Sequence, residues 1–153
     1  MAERGKVRGE IRHAGLIARR QGGFWLGVLI EGPSGAGKSD LALRALDQGF
    51  RLVADDRVTL WAVGGRVFGR APPALEGLIE VRGLDVIGVA ALPLAQVALV
   101  ARCGTPERLP DVAVDEICGV ALPLIEIDPR EPSAPAKLSR ALSLFDADGK
   151  RRI

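Results

Sequence analysis

Residues 32–39 read GPSGAGKS, a complete G-x-x-x-x-G-K-[ST] pattern, and this restricts the chain more than any other feature. Such a loop works only between a buried strand and a helix, so that backbone N–H groups and the helix N-terminus face an anion. The flanks comply. Phe24 to Ile30 is apolar, and Leu41, Ala42, Ala45 and Leu46 fall on one face of a helix expected over Lys38 to Gln48, with Gly49 as its stop. Gly32, Pro33, Ser34, Gly35, Ala36, Gly37, Lys38 and Ser39 are therefore the expected nucleotide-binding residues. The glycines let the backbone approach phosphate oxygens, Lys38 brings a full charge to the β/γ phosphates, and Ser39 offers its hydroxyl to Mg²⁺.

One helix later, Arg51 to Ala54 is an apolar strand that runs into Asp55-Asp56. In a βαβ unit the carboxyl ends of neighbouring strands open onto one crevice, so this doublet is expected beside the phosphate loop. One carboxylate there can serve Mg²⁺. Because alternate side chains of an extended chain point opposite ways, the other is free to act as a general base on an incoming hydroxyl. Spacing does not decide which aspartate takes which role.

The rest of the chain is β-rich. Gly15 to Ala18 reads as a short strand turned by Gly22-Gly23 into Phe24 to Ile30, and Phe50 to Ala54 as a buried strand. Val58 to Val63 and Arg66 to Phe68 flank Gly64-Gly65 as a hairpin, and Ile79 to Val81 and Val86 to Val89 flank an RGLD turn. Ala71-Pro72-Pro73 is a loop, Leu92 to Gln96 the start of a short helix, and Gln96 to Arg102 and Leu122 to Ile127 further strands. Asp128 to Pro135 reads as an irregular linker, and Ala136 to Phe145 as a last amphipathic helix ending near Asp148-Gly149. These elements predict an α/β P-loop domain with a mixed, β-rich sheet, one unit over residues 1–153 with flexible termini at 1–12 and 146–153.

Composition excludes several classes. With 153 residues the chain is long enough to build one core without disulfide or metal staples. A net charge of +2 is too small to mark a nucleic-acid binder, although 17 of the 21 basic residues are arginine, which suits phosphate and carboxylate forks. The nearly apolar stretch between Asp85 and Arg102, interrupted by Pro93 and Gln96, is too short to cross a bilayer as a helix, so no membrane partner is expected. Cys103 and Cys118 lack metal or redox spacing, and the basic N-terminus lacks an apolar signal core. A cytoplasmic location is the expectation. Asp146-Ala147-Asp148-Gly149 starts like a calcium loop without the distal glutamate, and Trp25 and Trp61 read as core or rim aromatics.

His13, the single histidine, and Glu80 each carry two readings. His13 is either a surface or packing residue or part of the site. Glu80 either pairs with Arg82 along a strand face or serves a metal or proton relay beside the nucleotide.

Several segments, in order, resemble the C-terminal catalytic domain of bacterial HPr kinase/phosphorylase: His13-Ala14-Gly15-Leu16-Ile17, GVLIEGPSGAGKSDLALRAL, GFRLVADDRV, and RAPPALEGLIEVRGL followed by DVIGV. The resemblance implies a P-loop fold related to the nucleotide site of phosphoenolpyruvate carboxykinase. It also implies ATP and Mg²⁺ as cofactors, and phosphate transfer to a serine of an HPr-type phosphocarrier of the phosphotransferase system. By motif, Lys38 is the phosphate lysine, Asp56 the general base and His13 the active-site histidine, while Ser39, Asp55 and Glu80 serve the metal. The family's separate N-terminal domain and its PGRN segment have no counterpart here. DPREPSAPAK stands in place of the latter with Arg130 as substitute, and Asp85 replaces a usual glycine. The reverse phosphorylase reaction and a homo-oligomer are therefore left open. Two rivals share the phosphate loop: a kinase for a small metabolite, which needs a deep acceptor pocket, and a nucleotide-sensing module, which needs no base.

Overall fold

From Ala14 to Ala18 the side chains alternate between two apolar clusters: Leu16 and Ala18 enter one, Ile17 the other. The next strand repeats this, with Val28 and Ile30 on one side and Leu29 on the other. A sheet apolar on both faces must be covered on both, and the two coverings differ. The structure, a computed structural model, describes residues 9–145.

Its elements are β1 (Gly9–Arg12), β2 (Ala14–Gln21), β3 (Phe24–Glu31), α1 (Lys38–Leu46), β4 (Phe50–Ala54), β5 (Val58–Val63) and β6 (Arg66–Arg70). After a 3₁₀ turn at Pro73–Leu75 come β7 (Leu78–Val81), β8 (Asp85–Gly88), β9 (Ala95–Cys103), β10 (Ala113–Ile117), β11 (Val120–Ile127) and α2 (Ala134–Leu144). Nine strands form one mixed sheet ordered β1-β5-β6-β9-β3-β2-β4, with the β10–β11 hairpin attached through β11 to β9. β9 is the axis. One edge pairs in parallel with β3, while the other is shared by β6 near Val97 and β11 from Val100 onward. That sharing curls the sheet. β7 and β8 pair only with each other.

On one face α1, α2 and the small β7–β8 hairpin pack Leu41, Ala45, Leu138, Leu142 and Ile79 onto Ile17, Ile30, Leu52 and Leu99. On the other, the sheet closes on itself through Leu60, Val67, Ile117 and Leu122 over Leu16, Leu29 and Val100. Nine-residue α1 is too short to persist alone, and fully burying Leu41 is worth roughly 1.5–3 kcal/mol, so packing rather than propensity holds it. This matters for the site, because α1 carries Lys38 and Ser39 at its first turn.

Several boundaries differ from expectation. Gly9–Arg12, within the stretch expected to be flexible, is a strand paired with β5. It escapes pattern reading because its inward side chains are Glu10 and Arg12, while its apolar Ile11 points to solvent. Arg12 bonds Glu10, Glu31 and Asp115 at 2.8, 2.7 and 3.0 Å. Burial works against its charge, but the bonds to Glu10 and Asp115 and the charges of Glu31 and Glu10 overcome that and raise its pKa. β10 also lacked a signal, being mostly exposed and acidic at Asp115-Glu116. Its marker is the turn at Cys118-Gly119, with φ of 51° and 81°.

No helix begins at Leu92. Its N–H donates to Leu52 O at 2.9 Å, and Pro93 steers it away from the helical region. The last helix starts earlier than expected, at Ala134 with Pro135 in its first turn. Trp25 lies under Arg51 and Trp61 stacks on Phe68 at 6.1 Å, both as rim aromatics. The calcium-like Asp146–Gly149 sequence and the 146–153 tail lie outside the described residues, as do residues 1–8.

Candidate phosphate-transfer site

β3 delivers the chain to the phosphate loop and α1 carries it away. The three glycines serve two purposes. Gly35 and Gly37 have φ of 81° and 106°, a left-handed backbone that a side chain would strain. Gly32 does not; a Cβ there would stand 2.9 Å from Cys103 Cβ on neighbouring β9, so it is required for packing rather than for phosphate approach alone. Burial pushes the Cys103 thiol pKa up, with Lys38 opposing. Lys38 Nζ donates to Gly32 O at 2.6 Å and Pro33 O at 3.0 Å, which holds the ammonium over the loop.

The side chains of Asp55 and Asp56 turn to different surroundings. Asp55 is buried: Oδ1 accepts from Ser39 Oγ at 2.8 Å and Oδ2 from Glu80 N at 3.0 Å. Asp56 instead turns outward, with His13 Nε2 3.0 Å from its Oδ1. Extended-strand alternation does not produce this divergence. Arg57 N closes on Asp55 O at 2.8 Å around Asp56 at φ 70°, a tight three-residue turn that aspartate tolerates better than most residues.

A cavity of about 530 Å³ joins these parts. Its lining includes His13, Ser34, Gly35, Gly37, Lys38, Ser39, Asp56 and Glu80 from the expected set, together with Asp40, Leu43, Val81, Arg82 and Arg130. Gly32, Pro33, Ala36 and Asp55 are not part of that lining. Glu80 meets Asp55 through its backbone, while its side chain is exposed to the cavity. Arg82 lies in the turn beyond β7 rather than beside Glu80 on the strand.

Arg130 reaches the cavity because its segment is tied to α1. Arg44 donates to Pro129 O and, at 3.1 Å, to Glu131 O, and Pro129 faces Gly37. Sequence reasoning missed Arg82 as a lining residue, and its place directly after the Glu80 strand was the available signal.

Ser39 and Asp55 are hard oxygen donors beside the loop, and among the described residues no group of three or more His, Cys, Asp or Glu side chains is placed to hold a metal ion by itself. Such a set fits Mg²⁺, which takes one or two protein oxygens with water and phosphate oxygens, rather than a fully caged ion.

A strand, glycine-rich loop and helix on a curled mixed sheet, with an aspartate gripping the loop's serine, define an α/β P-loop domain of the kinase type. Residues 22–95 match the family model for the HPr Serine kinase C-terminal domain. That match takes in just under half of the chain. It resembles the HPr kinase/phosphorylase of Clostridium tetani, 45% identical over 69 residues, which are 45% of this chain and 23% of that protein. It also resembles that of Clostridium beijerinckii, 41% identical over 87 residues, or 57% of this chain and 28% of that protein. The match thus spans about a quarter of the length of these relatives. The fold also matches the structure of the Hpr(Ser) kinase/phosphatase from Coxiella burnetii, with TM-score 0.74, 25% identity and coverage of 88% of this chain and 94% of that one. Among the described residues no helix is long and apolar enough to cross a membrane.

Proposed function

We propose that this domain transfers the γ-phosphoryl group of ATP to a serine of an HPr-type phosphocarrier protein. The observation that carries the reading is the division of labour between two adjacent aspartates: Asp55 buried on Ser39, Asp56 presented with His13 to the cavity that Lys38 also lines. In this reading the loop amides and Lys38 hold the triphosphate. Asp56 accepts the serine proton as the serine oxygen bonds phosphorus and the bond to the departing ADP oxygen breaks. His13 holds Asp56 in the turn. Ser39 and Asp55, with Glu80 opposite, would hold Mg²⁺, which offsets charge on the phosphates when bound. Arg130 and Arg82 add positive charge to the same wall.

A protein acceptor suits the site better than a small metabolite. The Asp56 side chain is 57% exposed, and the adjoining hairpin offers Leu84 and Val86 to solvent at 77% and 54%. A metabolite kinase would enclose its base. A reducing, ATP-supplied cytoplasm is the compartment this chemistry requires.

Labelled ATP incubated with purified HPr-type protein, and separately with a panel of nucleosides and sugars, tests the reading. Phosphoserine on the protein is expected. Label on a metabolite alone, or on nothing, overturns it. Running the reaction backward with inorganic phosphate and phosphorylated acceptor tests the phosphorylase direction.

A further inference from the structure

The cluster around Arg12 lies outside the cavity, yet it touches the strands that lead to His13, to the phosphate loop and away from Asp56. Antiparallel β2 and β3 are paired up to Ala14 and Glu31, and there they part. One residue before Ala14 the chain presents His13; one residue after Glu31 it enters the phosphate loop at Gly32. The Arg12 guanidinium closes this fork by donating to Glu31 Oε1 at 2.7 Å. It also reaches Asp115 Oδ2 at 3.0 Å and Glu116 O at 3.3 Å, which moors the fork to β10. The backbone of Arg12 is meanwhile the cross-strand partner of Val58, two residues beyond Asp56. One residue is thus bonded covalently to His13, paired through its backbone near Asp56, and clamped through its side chain to the residue before the loop.

We propose that Arg12 is a positioning residue that sets the separation between the His13–Asp56 pair and the phosphate loop; this rests on the kinase reading above. The guanidinium is suited to the task. Three carboxylates and a carbonyl converge on it from different directions, and a planar fork with five donors can meet all four. Only 21% of its side chain is exposed, and those of Glu31 and Asp115 only 19% and 22%, so the geometry is held rather than sampled. A lysine would keep the charge and lose the fork. Misplacing reacting groups by about 1 Å can cost on the order of 10²-fold in rate.

The test uses Arg12→Lys, with Glu31→Ala as a second variant that removes the clamp's acceptor without removing the cation. Transfer to HPr-type protein is expected to lose roughly 10²-fold in kcat per folded molecule, with nucleotide Kd changed by less than about threefold. Because His13 is the single histidine, its imidazole proton resonance reports the same geometry without any turnover. In both variants it is expected to move toward its position in Asp56→Asn. A purely structural role would lower Tm while leaving the resonance and kcat per folded molecule at wild-type values, and that result overturns the proposal. Should wild-type protein transfer no phosphate, the kinase reading falls, and the resonance alone then decides whether Arg12 holds His13 against Asp56.

Discussion

His13 Nε2 stands 3.0 Å from Asp56 Oδ1, and the two side chains, both about half-exposed, meet in the wall of the phosphate-loop cavity. Asp56→Asn tests the acid without disturbing the backbone, because asparagine tolerates the φ of 70° as well as aspartate does. Nucleotide binding by titration calorimetry is expected to persist, while phosphotransfer falls by about 10²–10⁴-fold. An undiminished rate removes Asp56 from the chemistry. Lys38→Ala is expected to do the opposite and weaken nucleotide binding itself.

Asp55 has a structural as well as a chemical duty. Asp55→Ala leaves the Glu80 N–H and the Ser39 hydroxyl without their carboxylate, so a loss of about 1–3 kcal/mol is expected in urea unfolding. The Mg²⁺ dependence of nucleotide binding is expected to flatten in the same variant. Unchanged stability would mean that water replaces the carboxylate without cost.

Gly32 and Gly35 are expected to fail differently when changed to alanine. Gly32→Ala drives a methyl to 2.9 Å from Cys103 Cβ and is expected to cost about 1–3 kcal/mol by overpacking. Cys103→Ser keeps that Cβ and gives no rescue, whereas Cys103→Gly restores part of the loss in a double-mutant cycle. Gly35→Ala meets no neighbour within 4 Å, so its cost is backbone strain alone, about 1–2 kcal/mol at φ 81°. No Cys103 change is expected to relieve it.

Glu10 supplies an acid-sensitive contact. Its hydrogen bond from Arg12 pulls its pKa below the ordinary glutamate value, against the opposing effect of burial. A carboxyl with a lower pKa in the folded state adds stability above the unfolded value, and that stability disappears as pH falls through the folded one. Thermal melts are therefore expected to show Glu10→Gln less stable than wild type at neutral pH, with the gap closing below the usual glutamate range. A gap that widens on acidification would reverse the sign of the argument.

Cys103 is expected to react slowly with alkylating reagents until the solution is well alkaline, since burial disfavours its thiolate. Lys38→Ala removes the charge that favours the thiolate and is expected to slow the reaction further. Faster alkylation in that variant would place the thiol in a more open site.

What could be read along the chain was local. The loop from Gly32 to Ser39, the apolar strands on either side of α1 and the Asp55-Asp56 doublet each declare themselves through spacing of a few residues, because turn chemistry and side-chain period are short-range properties. β1 and β10 did not: β1 turns the charged Glu10 and Arg12 inward, and β10 has a single buried apolar residue, Ile117, beside the paired Asp115, so neither shows a repeating apolar face. Which aspartate is buried, that Gly32 answers to Cys103, that Arg130 reaches the cavity through Arg44, and that Arg12 joins the two halves of the site were all decided by the tertiary structure. Each depends on groups between 16 and 103 residues apart, brought together by the fold, and a contact made once between distant groups leaves no period in the sequence to read.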